Sequence, residues 1–173
     1  MPSSCRRRRT SSPLTPHAAP IACALIVRRL DDRAVLVPAP MELIRQVAPF
    51  AALPPYDLER LARHADWLSV PAGTEVIRQG QPGNSLYMLT SGRVRAFKRN
   101  SAGKQIPVAD LDEGAFFGEV SILSCGPRTA TVAALTRCEL LELDRGTLDS
   151  ITARHPRVLE VMEEFAKARL GAP

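Results

Sequence analysis

The sequence predicts a mainly β fold, a double-sheet jelly roll or barrel with helices at both ends, and three observations predict it. Between Trp67 and Leu143 the apolar residues alternate with a period of two in eight short runs. A turn signal falls between these runs every eight to twelve residues. On either side of the block the period lengthens to that of an amphipathic helix.

Residues 1–40 stand apart from this pattern. Ser, Pro and Arg dominate as far as Pro20, and six of the fifteen prolines fall here. Seven Arg (6, 7, 8, 9, 28, 29 and 33) face only Asp31 and Asp32, which accounts for the whole formal charge of +5 and leaves residues 41–173 neutral. The charge therefore implies no basic nucleic-acid face on the body of the protein. A secretory signal does not fit, because the apolar run Ile21–Val27 is seven residues long and ends in Arg28-Arg29. An organelle-targeting segment fits the Arg- and Ser-rich composition alone. The reading adopted for 1–40 is a disordered tail, or residues upstream of the true start at Met41. The Arg6–Arg9 run reads as a solvated charge run. No stretch approaches the ~20 apolar residues of a membrane span. The four Cys (5, 23, 125 and 138) show no C-x-x-C pairing, which argues against a zinc site and a disulfide framework and places the chain in a reducing cytoplasm.

From Met41 the pattern is helical, with Leu43, Ile44 and Val47 on one face and Phe50 and Leu53 following. Pro54-Pro55 opens a second helix to His64, since a proline in the first turn lacks only an N–H that has no intrahelical partner. Leu58, Leu61 and Ala62 form its apolar stripe, and His64 reads as a favourable last-turn charge rather than a ligand.

The eight predicted strands are W-L-S-V, T-E-V-I-R-Q, S-L-Y-M-L-T, R-V-R-A-F-K, Q-I-P-V-A-D-L, A-F-F-G, T-A-T-V-A-A-L and C-E-L-L-E-L. Gly80, Gly83 and Gly92 read as turn glycines at positive φ. After the last strand, Arg145–Arg154 is a short helix. His155-Pro156 breaks it and starts another, whose stripe is Val158, Leu159, Met162, Phe165 and Leu170.

One stretch carries chemistry: Phe116–Val132, F-F-G-E-V-S-I-L-S-C-G-P-R-T-A-T-V. Gly118 allows close backbone approach and Glu119 supplies a carboxylate that accepts hydrogen bonds. A one-turn helix after it directs N–H groups outward as an anion site. Nine positions after Glu119 comes Arg128, whose guanidinium forks onto phosphate oxygens. The alternative for Arg128 is a pair with Glu119 or a surface acid, worth only ~0–1 kcal/mol when exposed. Cys125 reads as a small turn residue, a redox role requiring exposure and a lowered pKa.

This run resembles the phosphate-binding cassette of cyclic nucleotide-binding domains, found in kinase regulatory subunits, gated channels and catabolite-activator-type regulators. I-R-Q-G-Q-P-G-N-S-L-Y-M-L-T-S-G is similar to the family's second and third strands, departing at Gln79, where many members carry Glu. The resemblance implies a double-stranded β-helix (jelly-roll) barrel with flanking helices over 41–173, and cAMP or cGMP as regulatory ligand. It implies that Glu119 holds the ribose 2′-hydroxyl, Arg128 the cyclic phosphate, and the Ser121 N–H the same phosphate. Thr129 then lies beside phosphate and base, where Ala accompanies cAMP preference and Thr or Ser can reach the guanine amino group. Bacterial members with Thr often bind cAMP, so the base stays open. Phe117, Gly118, Val120 and Ala130 complete the expected contacts, and the Phe116-Phe117 pair seats the cassette. Arg169 and Leu170 are the candidate purine lid.

No metal is expected. The three His (17, 64 and 155) all lie outside the strand block, which argues against a cupin-type metalloenzyme, and Glu119 has no catalytic partner in the sequence. The expected function is non-enzymatic: a sensor whose C-terminal helix moves when ligand binds, read by an unidentified effector protein or a homodimer partner. The chain stops one short helix past His155, so direct DNA binding is not expected. The competing readings are a ligand-free scaffold domain of the same fold and a truncated DNA-binding regulator.

Overall fold

The computed structural model describes Leu25–Leu30, Arg33–Pro38 and residues 40–171. The Arg6–Arg9 run, His17, Cys5 and Cys23 lie outside the described residues. The sequence assigns no strand before Met41. The structure nonetheless pairs β1 (Leu25–Leu30) antiparallel with β2 (Arg33–Pro38), Leu30 opposite Arg33. Two runs rich in branched apolar residues separated by two positions are a hairpin signal.

The N-terminal helices follow the expected stripes. In α1 (Pro40–Gln46) and the 3-10 turn Ala48–Phe50, the residues Leu43, Ile44, Val47 and Phe50 are buried. Helix α2 (Pro55–His64) begins with Pro54 extended as its N-cap and Pro55 in its first turn, and buries Leu58 and Leu61. His64 is exposed in its last turn, as the sequence implies.

All eight expected strands form: β3 (Asp66–Val70), β4 (Glu75–Ile77), β5 (Ser85–Ser91), β6 (Val94–Arg99), β7 (Gln105–Leu111), β8 (Phe116–Phe117), β9 (Thr131–Ala134) and β10 (Cys138–Asp144). Between β8 and β9 lies α3 (Glu119–Ser124), and after β10 come α4 (Arg145–Thr152) and α5 (Pro156–Leu170). The strands pair into two antiparallel four-stranded sheets, ordered β3-β10-β5-β8 and β4-β9-β6-β7. Jelly roll is therefore the right description. Barrel is not, because the described ladders do not close. Edge strand β8 is only two residues long and the chain leaves it at Gly118.

The strands β10, β5 and β8 of the first sheet bury side chains on both faces, and period-two alternation divides these between two cores. Leu86, Met88, Leu141 and Leu143 pack with the helices. Leu89, Cys138 and Leu140 pack between the sheets. Phe116 and Phe117 point to opposite cores. Each such side chain contributes about 1.5–3 kcal/mol of burial, and together they anchor the start of the cassette on both sides.

The junction of α4 and α5 is tied to α2. Buried Asp57 accepts from Arg154 Nη2 and lies 2.7 Å from His155 Nε2. Arg60 Nη2 donates to Ser150 Oγ at 2.7 Å. Asp144 caps α4, accepting from the Thr147 N–H at 3.0 Å.

Candidate functional site

Strand β8 places the cassette. Tyr87 lies opposite Phe117 in the ladder, and their rings stack with centroids 5.4 Å apart. At Gly118 the backbone turns left-handed, φ +93°. A Cβ there would meet Arg128 Nη1 at 2.6 Å and Ser85 O at 2.8 Å, so glycine is required by both conformation and space. The turn starts α3, with Glu119 in its first turn and Ser121 buried behind it.

Arg128 folds back over this turn. Its Nη1 donates to Gly118 O at 3.0 Å and to Ser121 Oγ at 2.9 Å, and its Nη2 donates to Ser85 O at 2.9 Å. The backbone is held too, by Arg128 N to Gln81 O and Gly80 N to Arg128 O, both 2.8 Å. Arg128 is 5% exposed, so its guanidinium has almost no contact with water. Among the described residues no carboxylate pairs with it, and the pair with Glu119 weighed from the sequence does not form. Burial pushes the guanidinium below its ordinary value, opposed by the charges of Tyr87, Glu142 and Glu119. A buried cation bonded only to neutral acceptors is suited to a charged partner.

Glu119 is 1% exposed and engaged elsewhere. Arg169, near the end of α5, donates from Nη1 to Glu119 Oε1 at 2.6 Å. The same guanidinium lies over the Phe116 ring, 5.1 Å from its centroid, and Phe165 packs on that ring at 5.1 Å. The last helix is thus fastened to the carboxylate expected to hold a ribose.

One cavity collects every residue assigned from the sequence. Phe117, Gly118, Glu119, Val120, Ser121, Arg128, Thr129, Ala130, Arg169 and Leu170 all line it. The second sheet supplies an apolar wall that the sequence does not single out: Ile77, Ala96, Val108, Leu111 and Val132, with Lys98 among them. Gly83 is a correction. Gly80 and Gly92 have positive φ as expected, but Gly83 does not. It is glycine because a Cβ would lie 2.0 Å from Arg128 Nε, so its missing side chain makes room for the guanidinium. Gln79, where the sequence departs from the resemblance, accepts the Arg99 N–H at 2.7 Å and accordingly links the ends of β4 and β6. Cys125 is exposed and left-handed at φ 51°, with its Sγ 3.0 Å from Arg145 Nη2. Among the described residues no cluster of His, Cys, Asp or Glu could hold a metal.

The model of the cyclic nucleotide-binding domain family matches residues 67–155, half of the chain. The chain belongs to the cyclic nucleotide-binding domain family. This cyclic nucleotide-binding domain is 36% identical over 102 residues to a cAMP-dependent protein kinase regulatory subunit of Aspergillus fumigatus, covering 59% of this chain and 24% of that protein. It is 34% identical over 131 residues to a cyclic nucleotide-gated potassium channel of Mesorhizobium japonicum, covering 76% and 35%. The domain therefore spans about a quarter to a third of the length of these relatives. Among solved structures it is similar to the regulatory domain of Toxoplasma gondii PKA with cAMP, at TM-score 0.62 and 32% identity over 65% of this chain and 43% of that one. The Thermus thermophilus catabolite activator protein matches at TM-score 0.64 and 31% identity, over 70% and 57%. No described helix is long and apolar enough to cross a membrane.

Proposed function

We propose that the chain is a regulatory sensor of cAMP or cGMP and not an enzyme. The observation that carries this is Arg128, a buried guanidinium facing the cavity with three neutral acceptors and no carboxylate partner among the described residues. A cyclic phosphate supplies the missing charge, and each charge-assisted hydrogen bond contributes about 1.5–3 kcal/mol. Glu119 takes the ribose 2′-hydroxyl, the Ser121 N–H supports the phosphate, and Phe117, Gly118, Val120, Thr129 and Ala130 complete the contact surface. Arg169 and Leu170 close over the purine.

The signal leaves through α5. Arg169 and a ribose hydroxyl both address Glu119, so occupancy changes how strongly the last helix is held and shifts its position. The reader of that change is a separate effector protein or a second copy of the chain, with no direct contact to DNA or membrane, in the cytoplasm. Support comes from the kinase regulatory domain that carries cAMP on the same fold. Calorimetric titration of the 173-residue protein with cAMP and with cGMP tests the reading. Saturable heat with at least one is expected. No heat with either at millimolar ligand overturns it and leaves a scaffold domain.

A further inference from the structure

The three cations of strand β6, Arg95, Lys98 and Arg99, and Arg93 just before it have two different fates. Arg93, Arg95 and Arg99 face outward and are each paired, with Asp112 at 2.8 Å, Asp110 at 2.6 Å and Glu75 at 3.1 Å. Lys98 faces the cavity. Among the described residues no hydrogen bond or ion pair reaches its ammonium. It lines the wall with Ile77, Ala96, Val108 and Leu111, an environment that returns nothing to a charged donor.

The two sheets separate Lys98 from the phosphate grip. Arg128 is anchored to Ser85 O on β5 of the first sheet and to Gly118 O, where the chain leaves that sheet's edge strand β8. Lys98 stands on the second sheet, opposite Ile106 of β7 and one step past the Phe97–Thr131 pair with β9. A nucleotide held by its phosphate at Arg128 and its ribose at Glu119 turns its base toward that second wall. The apolar residues there take the faces of a purine, and the ammonium meets an edge.

We propose that Lys98 reads the edge of the base, donating to the adjacent O6 and N7 acceptors of a 6-oxopurine, so that the site takes cGMP in preference to cAMP. This rests on the cyclic nucleotide reading above and names its base. An ammonium has three donors and no acceptor. Guanine presents O6 and N7 side by side, both acceptors, whereas adenine presents N7 beside the N6 amino donor. A donor-only side chain is matched by the first edge and half-opposed by the second. Discrimination by one such contact is about tenfold or more.

The test is titration of the full chain with cGMP, cAMP and cIMP, the last having O6 and N7 but no 2-amino group. Wild type is expected to bind cGMP and cIMP about tenfold tighter than cAMP. Lys98→Met is expected to lower cGMP and cIMP affinity about tenfold while leaving cAMP within about twofold. Lys98→Arg, which keeps paired donors, retains the preference, and thermal melts confirm that both variants fold. An equal fall for all three ligands would put Lys98 on the phosphate and overturn the proposal. No change for any of them would put its ammonium in water (the stem merely covering the wall) and overturn it too. A wild type that prefers cAMP also overturns it. A folded wild type that binds none of the three sinks the cyclic nucleotide reading itself.

Discussion

The two halves of the cavity are built in different ways. The half proposed to hold the phosphate is a single loop: Gly118, Glu119, Ser121 and Arg128 lie within eleven consecutive residues and bond mainly to one another. The half proposed to hold the base is an assembly, with Lys98 on β6, Val108 on β7, and Arg169 and Leu170 at the end of α5. A loop that satisfies its own hydrogen bonds keeps its shape when its surroundings move. A wall made of separate elements can be opened by moving one of them. The fold thus places Arg128 on the self-bonded half and the helix proposed to move on the other.

Arg128→Ala is the strongest attack on the self-bonded half. It removes at least two charge-assisted bonds, so affinity for cyclic nucleotide falls about 100-fold or more, read by calorimetry. The folded far-UV spectrum is retained. Unchanged affinity would show that the phosphate sits elsewhere. Gly83→Ala strikes the same half from outside the loop, since its Cβ would lie 2.0 Å from Arg128 Nε. The guanidinium must leave its seat, and the loss of affinity approaches that of Arg128→Ala although every cassette residue is intact. A Gly83→Ala protein with full affinity would mean that the loop tolerates displacement, and the contrast between the halves would weaken.

Glu119→Gln tests the junction of the two halves. It removes the charge that Arg169 binds at 2.6 Å and weakens the grip on the ribose. Affinity for cAMP and cGMP falls about tenfold, while 2′-deoxy analogues, lacking the hydroxyl, lose much less. Equal losses for both sugars would remove Glu119 from ribose recognition. The smallest effect belongs to the start of α4. Asp144→Ala deletes the cap of α4 and costs about 1 kcal/mol at most at this exposed site, measured by urea denaturation. The Thr147 hydroxyl and backbone N–H hold the Asp144 carboxyl below its ordinary value. Because its folded pKa is depressed, its contribution is complete above the ordinary carboxylate value of about 3.9 and fades as pH falls through the folded one. The difference between wild type and Asp144→Ala should therefore vanish in acid. A difference that persists there would assign the effect to packing.

Most of the fold was legible because its signals are local. Alternation in L-Y-M-L and E-L-L-E-L, and proline at Pro55 and Pro156, act within a few residues and needed no knowledge of neighbours. The hairpin of β1 and β2 is masked in the sequence because Pro, Ser and Arg around it dominate the composition of residues 1–40. The open edge between the sheets was also illegible, since strand pairing is decided by long-range register rather than by alternation.

The same division runs through the site. The chain by itself determined the cassette, because Gly118, Glu119 and Arg128 act through a turn whose geometry is short-range. Only the tertiary structure decided that Gly83 must lack a side chain, that Arg169 reaches Glu119, and that Lys98, alone of the three β6 cations, turns inward. Those facts depend on segments separated by tens of residues and joined only when two sheets and a terminal helix pack around one cavity.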